Sequence, residues 1–116
     1  MRTWLALMIV VGLATAAFAA EIENGATMQV KANSIWFQGD AQLAQWQTLK
    51  KAGDAKALAQ CQDRLLSNRD AWQFLSPLTV RILRYEPGEQ RVKVEMTDEG
   101  RLKGTTWLID PDALMP

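Results

Sequence analysis

Along ATMQVKANSIWF, Ala26 to Phe37, the apolar residues Met28, Val30 and Ala32 alternate with Thr27, Gln29 and Lys31. A period of two belongs to an extended chain whose side chains point to opposite faces, so the stretch predicts one strand. Asn24-Gly25 ahead of it is turn chemistry.

The period then changes. Gln38-Gly39-Asp40 breaks the strand, and Asp40 is placed to cap a helix. From Ala41 to Ala52, Leu43, Trp46 and Leu49 recur three apart and form an apolar stripe on an otherwise polar helix. Lys50 and Lys51 fall in the last turn, where the helix dipole favours cations, and Gly53 suits the residue that ends it. Asp54 offers a second cap. Leu58, Ala59, Cys61, Leu65 and Leu66 then continue the helical spacing from Ala55 to about Asn68. So short a connection predicts an antiparallel helical hairpin over about residues 40–70. The following NRDAWQFLS, Asn68 to Ser76, carries Trp72, Phe74 and Leu75, and is apolar enough to pack rather than hang free.

After Pro77 the pattern is that of a sheet. LTVRILRY, Leu78 to Tyr85, is rich in branched and aromatic residues, and Glu86-Pro87-Gly88-Glu89 is a turn. In RVKVEM, Val92, Val94 and Met96 point one way while Arg91, Lys93 and Glu95 point the other, as in a half-buried antiparallel strand. A second turn spans Thr97 to Gly100, and Gly104 to Ile109 predicts a third strand that Pro111 stops. A lone three-stranded meander leaves one apolar face uncovered. Curling the sheet against the N-terminal strand would cover that face, and the hairpin would cap an open end. The expected fold is therefore mainly β with a helical insertion after the first strand: a small barrel or curled antiparallel sheet plus a helical hairpin. An open α+β sheet with the helices flat on one face is the alternative.

The C-terminal third also resembles a known family. Gly100, Gly104, Thr106, Trp107, Leu108 and Leu114 fill the places of a G-x-x-G-x-T-G-W-[VIL] run and its final apolar residue, which is similar to the late strands of bacterial Src-homology-3-like barrels. Val92 with Val94, and Val80 with Ile82, stand where that family has its central strands. The resemblance covers Leu78 to Leu114 and implies an SH3-like barrel whose long first loop is replaced here by two helices. The family's N-terminal L-N-V-R-x-G-P is matched by MQVKANSIWF in rhythm only. Tyr85 is the only tyrosine, so the aromatic groove for proline-rich peptides is not carried over.

The start of the chain changes the expected compartment. Arg2, the apolar run Leu5 to Leu13, and Ala17-Phe18-Ala19 form a charged, apolar, small-x-small succession that a signal peptidase reads after Ala19. The apolar run is short of the about 20 residues a membrane span needs. Residues 1–19 are thus expected to be an export signal, and 20–116 one domain in the periplasm or outside the cell. Arg2 leaves with the signal, so 12 cationic side chains face 13 anionic ones. That balance gives no electrostatic reason to expect nucleic acid or a membrane surface.

Composition narrows the chemistry further. With no histidine and one cysteine, the chain has no base for a nucleophilic triad and no ligand set for a metal, so no cofactor is expected. Cys61 lies on the second helical stripe and reads as a small buried hydrophobe. Asp110 with Asp112, and Asp98 with Glu99, are paired carboxylates, but Asp-Pro-Asp is ordinary turn chemistry. The expected protein is not an enzyme. Tryptophan is the distinctive resource. Trp46 and Trp107 lie within apolar stripes and read as core, whereas Trp36 and Trp72 sit at element ends beside Phe37 and Phe74. Trp36, Trp72, Phe74 and Tyr85 are accordingly the candidate binding residues, with core packing or a seam between helices and barrel as the competing, favoured reading of Trp36 and Trp72. The function expected is a binding or accessory protein of the bacterial cell envelope, with another envelope protein as partner. An inhibitor or immunity-type protein would instead act through a charged loop, Glu86 to Gln90 or Asp98 to Lys103. A wall-glycan binder would act through Trp36 or Trp72.

Overall fold

The computed structural model describes residues 22–116, so the expected signal sequence lies outside the described residues. Strands β1 (Thr27–Val30) and β2 (Ile35–Phe37) lead into helices α1 (Asp40–Ala52) and α2 (Ala55–Ser67). Strands β3 (Ala71–Gln73), β4 (Leu78–Glu86), β5 (Arg91–Met96) and β6 (Thr106–Ile109) follow. The six strands form one antiparallel sheet in the order β1-β4-β5-β6-β2-β3, and the sheet does not close. This is the mixed, mainly β fold expected, with its sheet curled and its helices paired.

The curl has a visible cause. After β6 a single 3-10 turn, Pro111–Ala113, swings the tail across to the outer edge of β1. Lys31 N–H donates to the Ala113 carbonyl and Met115 N–H to the Gln29 carbonyl, each at 2.8 Å, and Leu114 is bridged to Val30. The concave side then fills with alternate residues: Val80, Ile82, Val92, Val94 and Ile109 are fully buried, with Trp36 and Leu114 at 1% exposure. Each such side chain contributes about 1.5–3 kcal/mol of burial free energy.

Two expectations are corrected here. The stretch Ala26 to Phe37 is two strands, because Asn33 takes φ 67° and turns the chain between them. Asparagine tolerates that left-handed conformation better than most residues. The hairpin therefore follows the second strand, not the first. Nor does it cap an open end of the curled sheet. It lies on the convex face, where Leu43, Trp46, Cys61 and Leu65 pack against Ile35 and Phe37 of β2 and Ala71 of β3, with Leu108 of β6 alongside. β2 is consequently buried on both faces, Trp36 inward and Ile35 and Phe37 toward the helices.

The helix signals are met with one exception. Asp54 accepts a hydrogen bond from Ala57 N–H and caps α2, and Gly53 ends α1 at φ 72°, where a side chain would be strained. Asp40 is not a cap: Gly39 holds that position without a side-chain bond, and Asp40 is the first helical residue. There its carboxylate meets Arg91 at 3.5 Å, which ties α1 to β5. Gln47 adds bonds to the Gln90 carbonyl (2.7 Å) and Asp110 (2.9 Å). Cys61 is 1% exposed, the buried position its stripe implied.

Candidate functional site: an aromatic groove

Three of the four aromatic residues nominated from the sequence come together. β2 and β3 pair in a register that sets Trp36 opposite Trp72, and both rings point to the concave side. Trp36 packs edge-to-face on Phe74 at 5.1 Å and on Trp107 at 6.0 Å. Trp107 in turn meets Phe74 at 6.0 Å and Trp72 at 6.3 Å, again near perpendicular. Edge-to-face pairs add about 0.5–1.5 kcal/mol each beyond burial, so the cluster is stiff. Trp107 Nε1 donates to Thr105 Oγ1 at 2.8 Å, which leaves its polar end satisfied.

The cluster is graded from core to surface. Trp36 is 1% exposed and presents no ring to a partner, so its place is structural. Phe74 is half-buried. Trp72 is 40% exposed and Leu75 79% exposed, so the expectation that this stretch packs holds for Phe74 but not for Leu75. Tyr85 lies apart, toward the far end of β4, and its backbone N–H donates to Asn24 Oδ1. Beyond Trp72 and Phe74 opens a groove of about 530 Å³, completed by Leu78, Met96 and Leu102. Leu78 and Met96 read as strand residues in the sequence. Leu102 was a lone apolar residue in the charged turn Asp98 to Lys103, the one signal that could have marked it.

The groove has a charged lip. Asp98 Oδ2 accepts from Thr79 N–H at 3.0 Å, and Glu99 pairs with Lys103 at 2.6 Å. Arg101 also lines the groove and has no carboxylate within ion-pair distance among the described residues.

A second, polar cleft of about 300 Å³ lies where α1 meets β4 and β5, lined by Asp40, Arg84, Glu86, Arg91 and Lys93. Arg91 holds Glu86 at 3.1 Å and Glu89 at 2.9 Å besides Asp40. The Arg91 hydrogen bond keeps the Glu86 carboxyl below its ordinary value of 4.5, and the same bond raises the guanidinium. The loop Glu86 to Gln90 is thus folded onto its own cation. Arg81 and Glu95 pair across β4 and β5. Arg81, Arg84 and Arg91 of the sheet each lie within ion-pair distance of a carboxylate.

Of the remaining candidate acids, Asp112 lies 3.9 Å from Lys50 Nζ, and Asp110 serves the backbone as well as Gln47. Asp110 Oδ1 accepts from Asp112 N–H at 2.8 Å and starts the 3-10 turn. Among the described residues no three metal-binding side chains cluster, no polar side chain is buried, and no helix is long and apolar enough to cross a membrane. Comparison with protein-family models, with curated proteins and with solved structures gave no match.

Proposed function

We propose that this chain is an exported, non-catalytic binding or accessory module of the bacterial cell envelope, and that it holds another envelope protein through the aromatic groove. Export rests on the leader pattern of residues 1–19. The observation that carries the binding reading is Trp72: a large aromatic residue left 40% exposed, braced from behind by Trp107, at the mouth of an apolar concavity. Rigid, partly buried aromatics are the residues on which protein contacts concentrate. We also read the sheet as an SH3-like barrel open along one seam. The turn after Trp107-Leu108 that returns Leu114 to Val30 supports that reading.

The test is capture in source cells. Tagged 20–116 is cross-linked in the intact envelope, beside a Trp72→Ala variant, and captured species are identified by mass spectrometry. One protein retained by the wild type and lost from the variant is the expected result. Capture that ignores Trp72→Ala would sink the groove as the contact surface. The exposed Trp72 ring also favours one second reading, a wall-glycan binder that stacks a sugar on it. Recovery of glycan without protein would select it. The inhibitor reading finds its loop Asp98 to Lys103 forming a wall of the same groove, so its contacts would fail with the same variant.

A further inference from the structure

The groove makes no use of the turn Asn24-Gly25 ahead of β1. An Asn-Gly step is the dipeptide most prone to deamidation, because glycine has no side chain to shield its amide nitrogen from the asparagine carboxamide. Here the fold ties down both reacting groups. Gly25 N–H, whose nitrogen would attack, donates to the Ile82 carbonyl at 2.6 Å. Asn24 Oδ1, on the carbon that would be attacked, accepts from Tyr85 N–H at 3.2 Å. Ala26 N–H closes the turn on the Glu23 carbonyl at 3.1 Å. The Asn24 side chain thus adds a rung beyond the ladder that pairs β1 with β4. Asn24 itself is exposed, so water reaches it. Two residues earlier, Ile22 is 6% exposed in the concave core and anchors the segment.

We propose that Asn24 is a self-modifying site gated by the fold. While Ile22 is seated, the Gly25 N–H stays on Ile82 and the Asn24 carboxamide on Tyr85, and the two do not meet. Chain ends open at far lower cost than the whole domain. In the opened segment the Gly25 nitrogen gives its proton to hydroxide and attacks Asn24 Cγ. The N–Cγ bond forms, the Cγ–Nδ2 bond breaks, and Nδ2 takes a proton from water and leaves as ammonia. The resulting succinimide then takes up one water, and nothing is oxidised or reduced. Hydrolysis at Cγ gives aspartate, which still offers an acceptor to Tyr85 N–H. Hydrolysis at the main-chain carbonyl gives isoaspartate, whose backbone runs through Cβ and Cγ. That path lengthens the turn by one methylene, so the bonds to Ile82 and Tyr85 no longer fit together. Ile22 then leaves the core and the end stays open. The step runs once and in one direction, and each modified molecule records that this end of its sheet has opened.

Peptide mapping by mass spectrometry follows the fate of Asn24, with isoaspartate told from aspartate by fragmentation at the altered backbone. Residues 20–116 are incubated in mildly alkaline buffer, folded or in urea. Conversion should be at least about tenfold slower in the folded protein, because the population of the open end sets its rate. Ile22→Ala loosens the anchor and should speed conversion of the folded protein at least about threefold, with no change in urea. Should far-UV dichroism show that this variant does not fold, Ile22→Val replaces it and should act in the same direction. The separated isoaspartate form should lose at least about tenfold of the exchange protection of the Gly25 and Tyr85 amides, whereas Asn24→Asp should keep Tyr85 protected. Equal rates in folded protein and in urea overturn the gate, as does a folded rate indifferent to the loss of the Ile22 anchor. An isoaspartate form with both amides still protected overturns the one-way step.

Discussion

The sheet has two cores on its two sides, and they are assembled differently. The concave core draws on Ile22, Val30, Trp36, strands β4, β5 and β6, and Leu114, spread over nearly the whole described chain. The convex core draws on residues 35 to 71, with only Leu108 coming from farther away. The convex core is thus local in sequence, built by a hairpin that folds back on the strands flanking it. The concave core needs distant segments brought together, at a larger cost in loop-closure entropy. β2 belongs to both, and its three residues make the two cores one unit.

The strongest way to break this comparison is Trp36→Ala. It empties the concave core at the strand both cores share, and should cost about 3–5 kcal/mol. Far-UV dichroism of the helices and hydrogen exchange of β4 and β5 should report the same loss. Helices that survive after the strands exchange freely would show that the cores are separable. The converse, Leu43→Ala, removes a fully buried side chain on the helix side and should cost about 2–4 kcal/mol. Thermal melts followed by the two probes should still coincide, because β2 links the sides. Asp54→Ala probes the hairpin alone: loss of the α2 cap should cost about 1 kcal/mol. Proton exchange should then quicken in the first turn of α2 while the concave strands change little.

The smallest effect concerns the cluster that ties α1 to β5. The folded-state pKa of Glu86 is lowered, chiefly by its hydrogen bond from Arg91, so its contribution is complete above the ordinary value of 4.5 and fades as pH falls through the lowered one. Wild type should therefore lose a little more stability than Glu86→Gln on acidification below 4.5. Paired denaturation curves at neutral and acidic pH measure the difference, and equal acid sensitivity would remove Glu86 from the account.

What could be read from the sequence follows the same division. The two helices are legible because stripe, cap and stop agree within fifteen residues or so of each other, as with Asp54, Leu58, Cys61 and Leu65. RVKVEM is legible because one face is wet. Ile35-Trp36-Phe37 hides its strand boundary because both faces are buried and no alternation survives. β3 escapes because three residues carry almost no period and its partner lies across the whole hairpin. The site was half visible for the same reason. Trp36, Trp72 and Phe74 stood out as aromatics at element ends, and they do cluster. That Trp36 is the buried brace and Trp72 the exposed ring depends on sheet register, which no local pattern states. Tyr85 shared their chemistry but not their end of β4. Leu78, Met96 and Leu102 reach the groove only because the sheet curls.

The grading of the aromatic cluster also makes the molecule its own optical sensor. Of the four tryptophans in the described residues, Trp36, Trp46 and Trp107 are buried and only Trp72 meets solvent. A collisional quencher such as iodide therefore reaches one emitter and spares three. Perpendicular indoles 6.3 Å apart, Trp72 and Trp107, are close enough for their transitions to couple. A change in that coupled signal reports any group that docks on the ring, without an attached label.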